Sequence, residues 1–287
     1  MLSVTELQQR AIDRYEEGKI AEAISDLTDA LSQQPDNATA RYNRAIMYAE
    51  AQQHAPAIAD LDHAIKILPD NADLWHAKAV SHRALDAQSE ALKAIRKAIE
   101  LLPNDPDNHL FLGNCLISLG DRQGALEAYA KAIQIFPGFV AAWYNRALTF
   151  IEVKDYYPAL RDLGKCIELE PQSLGYLIDR AKVYATLDDF EKALKDYDAA
   201  ISKNPYHAEM HALRGHALVK LEQIEEAVEA YDKALKLQPT DAVTLRFRGA
   251  AKMHLKDKAG ACEDFKHAGE LGDQEAQAYW EKNCQSV

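Results

Sequence analysis

Residues 140–173 read VAAWYNRALTFIEVKDYYPALRDLGKCIELEPQS, and the proline third from the end, Pro171, decides the fold. It belongs to a set of seven, Pro35, Pro69, Pro103, Pro137, Pro171, Pro205 and Pro239, each 34 residues from the next. A spacing kept without slippage is a repeat, and the units can be compared with one another column by column. Eight units follow, 4–37, 38–71, 72–105, 106–139, 140–173, 174–207, 208–241 and 242–275, with 276–287 left over.

Position 8 of the units is Ala11, Ala45, Ala79, Gly113, Ala147, Ala181, Gly215 and Gly249, so two backbones must approach closely there. Position 20 is alanine in all eight, from Ala23 to Ala261, and position 27 is alanine except for Cys166. Position 24 carries a large apolar residue, Leu27, Leu61, Ile95, Tyr129, Leu163, Tyr197, Tyr231 and Phe265. Separations of three, four and seven are helical, and nothing alternates with strand period. Each unit is therefore expected to be two antiparallel helices, positions 1 to about 14 and 15 to about 28. Gly18 and Gly120 mark the turn between them in two units. Ser3 with Glu6 has capping-box spacing; Asn71, Ser173 and Asp241 are further N-cap candidates, and Pro106 follows Asp105 as a first helical residue. The proline at position 32 stops the second helix. A hairpin of this size cannot bury enough surface alone, so the units must stack into an all-α solenoid, one continuous body rather than two domains.

These columns resemble the tetratricopeptide repeat: large position 4 (Trp75 and Trp143 fit best), small position 8, aromatic position 11 (Tyr48, Phe150, Tyr184), then alanine, bulky apolar, alanine and proline. The resemblance covers residues 4–275 and implies a right-handed superhelix whose first helices line a concave, peptide-binding face. Asp273 stands where the eighth proline is expected. Residues 276–287 then read as a C-terminal capping helix, with Ala276, Tyr279 and Trp280 on one face. In that register the candidate peptide-binding residues are Tyr42, Asn43, Ile46, His76, Val80, Leu110, Phe111, Asn114, Tyr144, Asn145, Leu148, Ile178 and Lys182. Part of this set, about two in five, is expected to be core rather than contact. The remainder, apolar with interspersed asparagines, suits a peptide held by side-chain pockets and backbone-binding amides.

Two ligand modes known in the family do not carry over. The carboxylate clamp needs basic residues at position 5 of one unit and positions 2 and 6 of the third; Asn114 and Asn145 fit its asparagine places, but Leu110, Gly175 and Asp179 occupy the basic ones. The asparagine ladder at position 6 of the O-linked N-acetylglucosamine transferase superhelix has only Asn43 and Asn145 here, each within a Tyr-Asn-Arg-Ala sequence. Position 7 is nearly a basic stripe, yet all five units with aspartate at position 23 (Asp26, Asp60, Asp162, Asp196, Asp264) have arginine at position 7. That pairing is read as structural ion pairs, each worth about 0–1 kcal/mol if exposed. Arg214 lacks the aspartate, and its role is open.

The composition, 48% hydrophobic and 27% charged, is globular. A formal charge of −12 disfavours nucleic acid as a direct partner. No apolar run is long enough to span a bilayer, so no direct membrane insertion is expected. Catalysis finds little support: there is no phosphate loop or nucleophile elbow, and of His207, His211 and His216 the second sits at the packed position 4 and the first before the helix, with the glutamate between them one place too late for a zincin motif. The chain is expected to need no cofactor and no metal, and not to be an enzyme. Cys115 and Cys166 read as packed residues or plain thiols, while Cys262 and Cys284 can meet if the cap folds back on the last hairpin. Reduced thiols and a cytoplasmic location are the default, periplasmic if a leader segment has been removed. The function implied is a non-catalytic scaffold for a protein or peptide ligand. The alternative is a regulatory or targeting subunit of an enzyme or secretion complex, docking through its ends or convex face.

Overall fold

The computed structural model describes residues 2–284, and these contain 17 helices and no strand. The first helices of the units are α1 (Val4–Glu16), α3 (Ala38–Glu50), α5 (Ala72–Ala84), α7 (Pro106–Ser118), α9 (Val140–Glu152), α11 (Leu174–Thr186), α13 (Ala208–Lys220) and α15 (Ala242–His254). The second helices are α2 (Ile20–Gln33), α4 (His54–Ile67), α6 (Gln88–Leu101), α8 (Arg122–Ile135), α10 (Tyr156–Leu169), α12 (Phe190–Lys203), α14 (Ile224–Leu237) and α16 (Lys258–Glu270). A last helix, α17 (Gln274–Asn283), follows; residues 285–287 of the expected cap lie outside the described part. Within α1–α8 and within α10–α17 each helix packs on its neighbours in sequence, as in a helical-repeat solenoid. The contacts divide the chain into two compact units, Met1–Thr149 and Phe150–Val287, where the sequence suggests one continuous body. The division falls inside α9.

The second helices start two residues later than the sequence suggests, because the turn consumes position 15 in the left-handed region in every unit. Only Gly18 and Gly120 are glycines there; Gln52, Asp86, Lys154, Asp188, Glu222 and Lys256 hold φ between 57° and 63°. A left-handed residue lets the next amide reach back to a carbonyl five residues earlier, as Gln53 N does to Tyr48 O at 2.7 Å, closing the first helix. The helix starts are capped by Asn37, Asn71, Asp105 and Asp241, whose side chains accept from backbone amides, and by the reciprocal Ser3–Glu6 box. Ser173 makes no such bond, contrary to expectation. The repeat proline has a second role: its carbonyl is bonded by the side chain at position 4 of the next unit, through Arg41 to Pro35, Trp75 to Pro69, His109 to Pro103, Trp143 to Pro137 and His211 to Pro205. His211 is thereby a packing residue, and the described residues hold no group of three metal-ligating side chains.

The alanines of position 20 are all fully buried, and the large residues of position 24 are at most 4% exposed. Arg10, Arg44, Arg180 and Arg248 each donate two bonds to Asp26, Asp60, Asp196 and Asp264, at 2.5–2.9 Å. These aspartates are only 2–4% exposed. The pairs are therefore not the weak surface bridges considered above: removing Arg180 would strand the buried Asp196, at about 3–5 kcal/mol, whereas Asp26, Asp60 and Asp264 would each keep a second cation, Arg14, Arg41 and Lys252. Arg214 reaches Asp198 of the preceding hairpin at 2.6 Å, as Lys78 reaches Asp62.

Asp273, in the place of the missing proline, caps α17 by accepting from Ala276 N at 2.9 Å and pairs with Arg246. Ala276, Tyr279 and Trp280 cover Leu245 and Phe265, with the Phe265 and Tyr279 rings 4.3 Å apart. Cys262 and Cys284 form a disulfide, their Cα atoms 5.6 Å apart, which ties the end of α17 to α16.

Candidate peptide-binding face

Eleven of the thirteen candidate residues lie on α3, α5, α7 and α9 within the unit Met1–Thr149. They share a face because positions 5, 6 and 9 fall on one side of a 3.6-residue helix. Only Phe111 is buried outright and Leu148 is exposed, so fewer are core than the sequence suggests; the other nine are half-buried. The remaining two, Ile178 and Lys182 of α11, belong to the other unit. Ile178 packs on Leu177, Ala200 and Met210, and Lys182 pairs with Glu209 at 2.8 Å.

Between α3 and α5 lies a pocket of about 160 Å³. Tyr42, Ile46, His76 and Val80 form its walls, while Ala45, Ala49, Ala77 and Leu61 form its floor. The hollow exists because three of the floor residues are alanines. Tyr42 carries the wall's polar edge; burial, and then the charge of Asp73, push its hydroxyl above the ordinary pKa, so it remains a neutral donor. His76 is fixed from behind, its Nδ1 2.6 Å from Oδ1 of the buried Asn108 and its ring 5.3 Å from that of Phe111. Arg83 closes the other side of Phe111, its guanidinium 4.8 Å from the ring centre.

The asparagines behave unequally. Asn114 Oδ1 accepts from both Tyr129 Oη, at 2.8 Å, and Asn145 Nδ2, at 3.0 Å, so these two amides largely hold the scaffold together. Asn43, in the same Tyr-Asn-Arg-Ala sequence as Asn145, makes no side-chain hydrogen bond among the described residues. The difference lies one unit back: position 9 there is Asn114 for Asn145 but Ile12 for Asn43. Asn43 is thus the amide available to a peptide backbone. Neither the Asn114 bond to Asn145 nor the position-4 bonds to proline carbonyls is visible in any single unit.

Tetratricopeptide repeat models match residues 9–72, 178–242, 106–139 and 140–173. No curated protein matches the chain. Among solved structures, the C-terminal part of a TPR repeat-containing protein from Cytophaga hutchinsonii superposes with a TM-score of 0.74 at 17% identity, over 83% of this chain and 98% of that one. YrrB, a TPR protein, gives 0.59 at 20% identity over 67% and 99%, and MamA gives 0.54 at 24% over 56% and 94%. Helix pairs of fixed length, small-residue columns and these matches agree: the chain belongs to the tetratricopeptide repeat family.

Proposed function

We propose that this protein-interaction scaffold is non-catalytic and holds a peptide or protein segment against the face formed by α3, α5, α7 and α9. The observation that carries the reading is the open apolar pocket at Tyr42, Ile46, His76 and Val80, beside the unengaged amide of Asn43. A side-chain pocket next to a backbone-binding amide is what recognition of an extended segment requires. That YrrB is described as having an unusual peptide-binding site, on the same fold, is in keeping with it. The test is affinity capture from source lysate with wild type and Leu110→Ala/Leu148→Ala in parallel. Partners lost with the variant, at unchanged helicity and melting, support the reading; identical captured sets sink it.

A second reading, docking through another edge, is favoured by Leu68, Leu102 and Phe136. They precede successive repeat prolines and are 44%, 44% and 52% exposed. Retained groove ligands with assembly lost in Leu102→Ser/Phe136→Ser would favour that edge. The Cys262–Cys284 bridge supports the periplasmic alternative over the cytoplasmic default. Mass spectrometry of protein alkylated in source cells decides it: two free thiols at these positions return the location to a reducing compartment.

A further inference from the structure

We propose that the α3–α5 pocket takes one leucine-, methionine- or phenylalanine-sized side chain of an extended segment whose lysine or arginine, within about three residues of that anchor, pairs with Asp73. The proposal rests on the peptide-binding reading above and adds the chemistry of the ligand.

Size sets the first half. A volume of about 160 Å³ matches an apolar cavity that accepts a benzene-sized group, about 150 Å³. The floor of Ala45, Ala49, Ala77 and Leu61 offers no charge and no unsatisfied polar atom to bind a polar anchor. The one lining hydroxyl away from the rim, on Ser81, is 1% exposed and faces no ligand.

Charge sets the second half. Asp73 lies on the rim, exposed, at position 2 of α5, and Asp107 holds the same position on α7. No cation pairs with either among the described residues, whereas the nearby Lys78 is already held by Asp62 and Arg83 lies against Phe111. The further acid on this side of α3, Glu50, is engaged by the Tyr15 hydroxyl. An uncompensated pair of carboxylates beside an apolar pocket repels acidic segments and favours basic ones. Neighbouring helices pack about 8–10 Å apart, which an extended chain covers in about three residues. Basic residues about three apart would therefore address Asp73 and Asp107 in turn. This ligand is opposite in charge preference to one gripped by a carboxylate clamp.

The experiment is selection of a random twelve-residue phage-displayed library on the immobilised full chain, with synthetic copies of the enriched peptides titrated by fluorescence anisotropy. Enrichment of Leu, Met or Phe with Lys or Arg within three residues is expected. Ala49→Leu, which fills the pocket, should weaken those peptides at least tenfold. Asp73→Lys, on an exposed side chain that leaves folding intact, should weaken them about tenfold, and exchange of the peptide's Lys for Glu should recover most of that loss. No enrichment, enrichment of acidic peptides, or equal affinity for all three proteins overturns the proposal. Peptides lost with Leu110→Ala/Leu148→Ala but indifferent to Ala49→Leu and Asp73→Lys overturn it while leaving the peptide-binding face in place.

Discussion

Glycine replaces alanine at position 8 only where position 24 is aromatic: Gly113 faces Tyr129, Gly215 faces Tyr231, and Gly249 faces Phe265. The pairing predicts the effect of Gly215→Ala. A Cβ on Gly215 would sit 2.7 Å from Cε1, 2.8 Å from Cδ1 and 3.0 Å from Cζ of Tyr231. Carbon atoms prefer 3.5–4.0 Å, so the ring must retreat by about 0.8 Å. It has little room, being 1% exposed and stacked against Phe247 with centroids 6.4 Å apart. Overpacking of this kind costs about 1–3 kcal/mol, against about 1 kcal/mol gained by alanine over glycine inside a helix. Ala181 does coexist with Tyr197 in α11 and α12, so a helix pair can spread to admit both, and the penalty is a shift rather than an exclusion. The net expectation is a loss of about 1 kcal/mol. Tyr231→Leu should relieve it by restoring the Ala–Leu pairing of Ala11 with Leu27, with a coupling of about 1–3 kcal/mol between the two substitutions. Tyr231→Phe keeps the offending ring carbons and should relieve nothing. Urea unfolding followed by circular dichroism gives the stabilities. Hydrogen exchange in α13 and α14 is needed beside it, because stacked repeats need not unfold as one. A Gly215→Ala protein stabilised by the full helix-propensity gain, with no coupling to position 231, would refute the steric account.

Other expectations are as direct. Reducing the Cys262–Cys284 bridge, which closes a separation of 22 residues, should remove about 3 kcal/mol of local stability; hydrogen exchange should show α17 losing protection while α1–α14 keep theirs, and equal protection in both states would count against it. Gln52→Gly and Glu222→Gly relieve left-handed strain at exposed turns, and each should raise stability by about 0.5–1 kcal/mol in thermal or urea melts. Burial pushes the thiols of Cys115 and Cys166 up to about 11 and about 12. At pH 8 both stay protonated, so iodoacetamide should label them only after unfolding; rapid labelling of the native chain would contradict their packing.

The fold was legible because its determinants recur. An alanine at position 20 means little once, but eight of them at one register leave only a packed helix pair, and the Arg–Asp columns show their pairing the same way. What recurs in composition but not in identity was harder to read. In five units position 4 is Arg41, Trp75, His109, Trp143 or His211, unlike side chains that share only an N–H for the preceding proline carbonyl, while the other three carry leucine. Position 15 is glycine twice and charged or amide-bearing six times, yet always left-handed, because the backbone bond that closes the helix outweighs the local strain. The face proposed to bind is written least plainly, since a ligand surface is where units are free to differ. Asn43 and Asn145 share their neighbours in sequence and differ in availability, and the cause is a residue 31 positions earlier, Ile12 or Asn114. In a stacked repeat each unit's surface is finished by the unit before it. A binding residue is therefore specified by a pair of columns in adjacent units, and a search for ligand-binding asparagines along position 6 alone would rank Asn43 and Asn145 as equals.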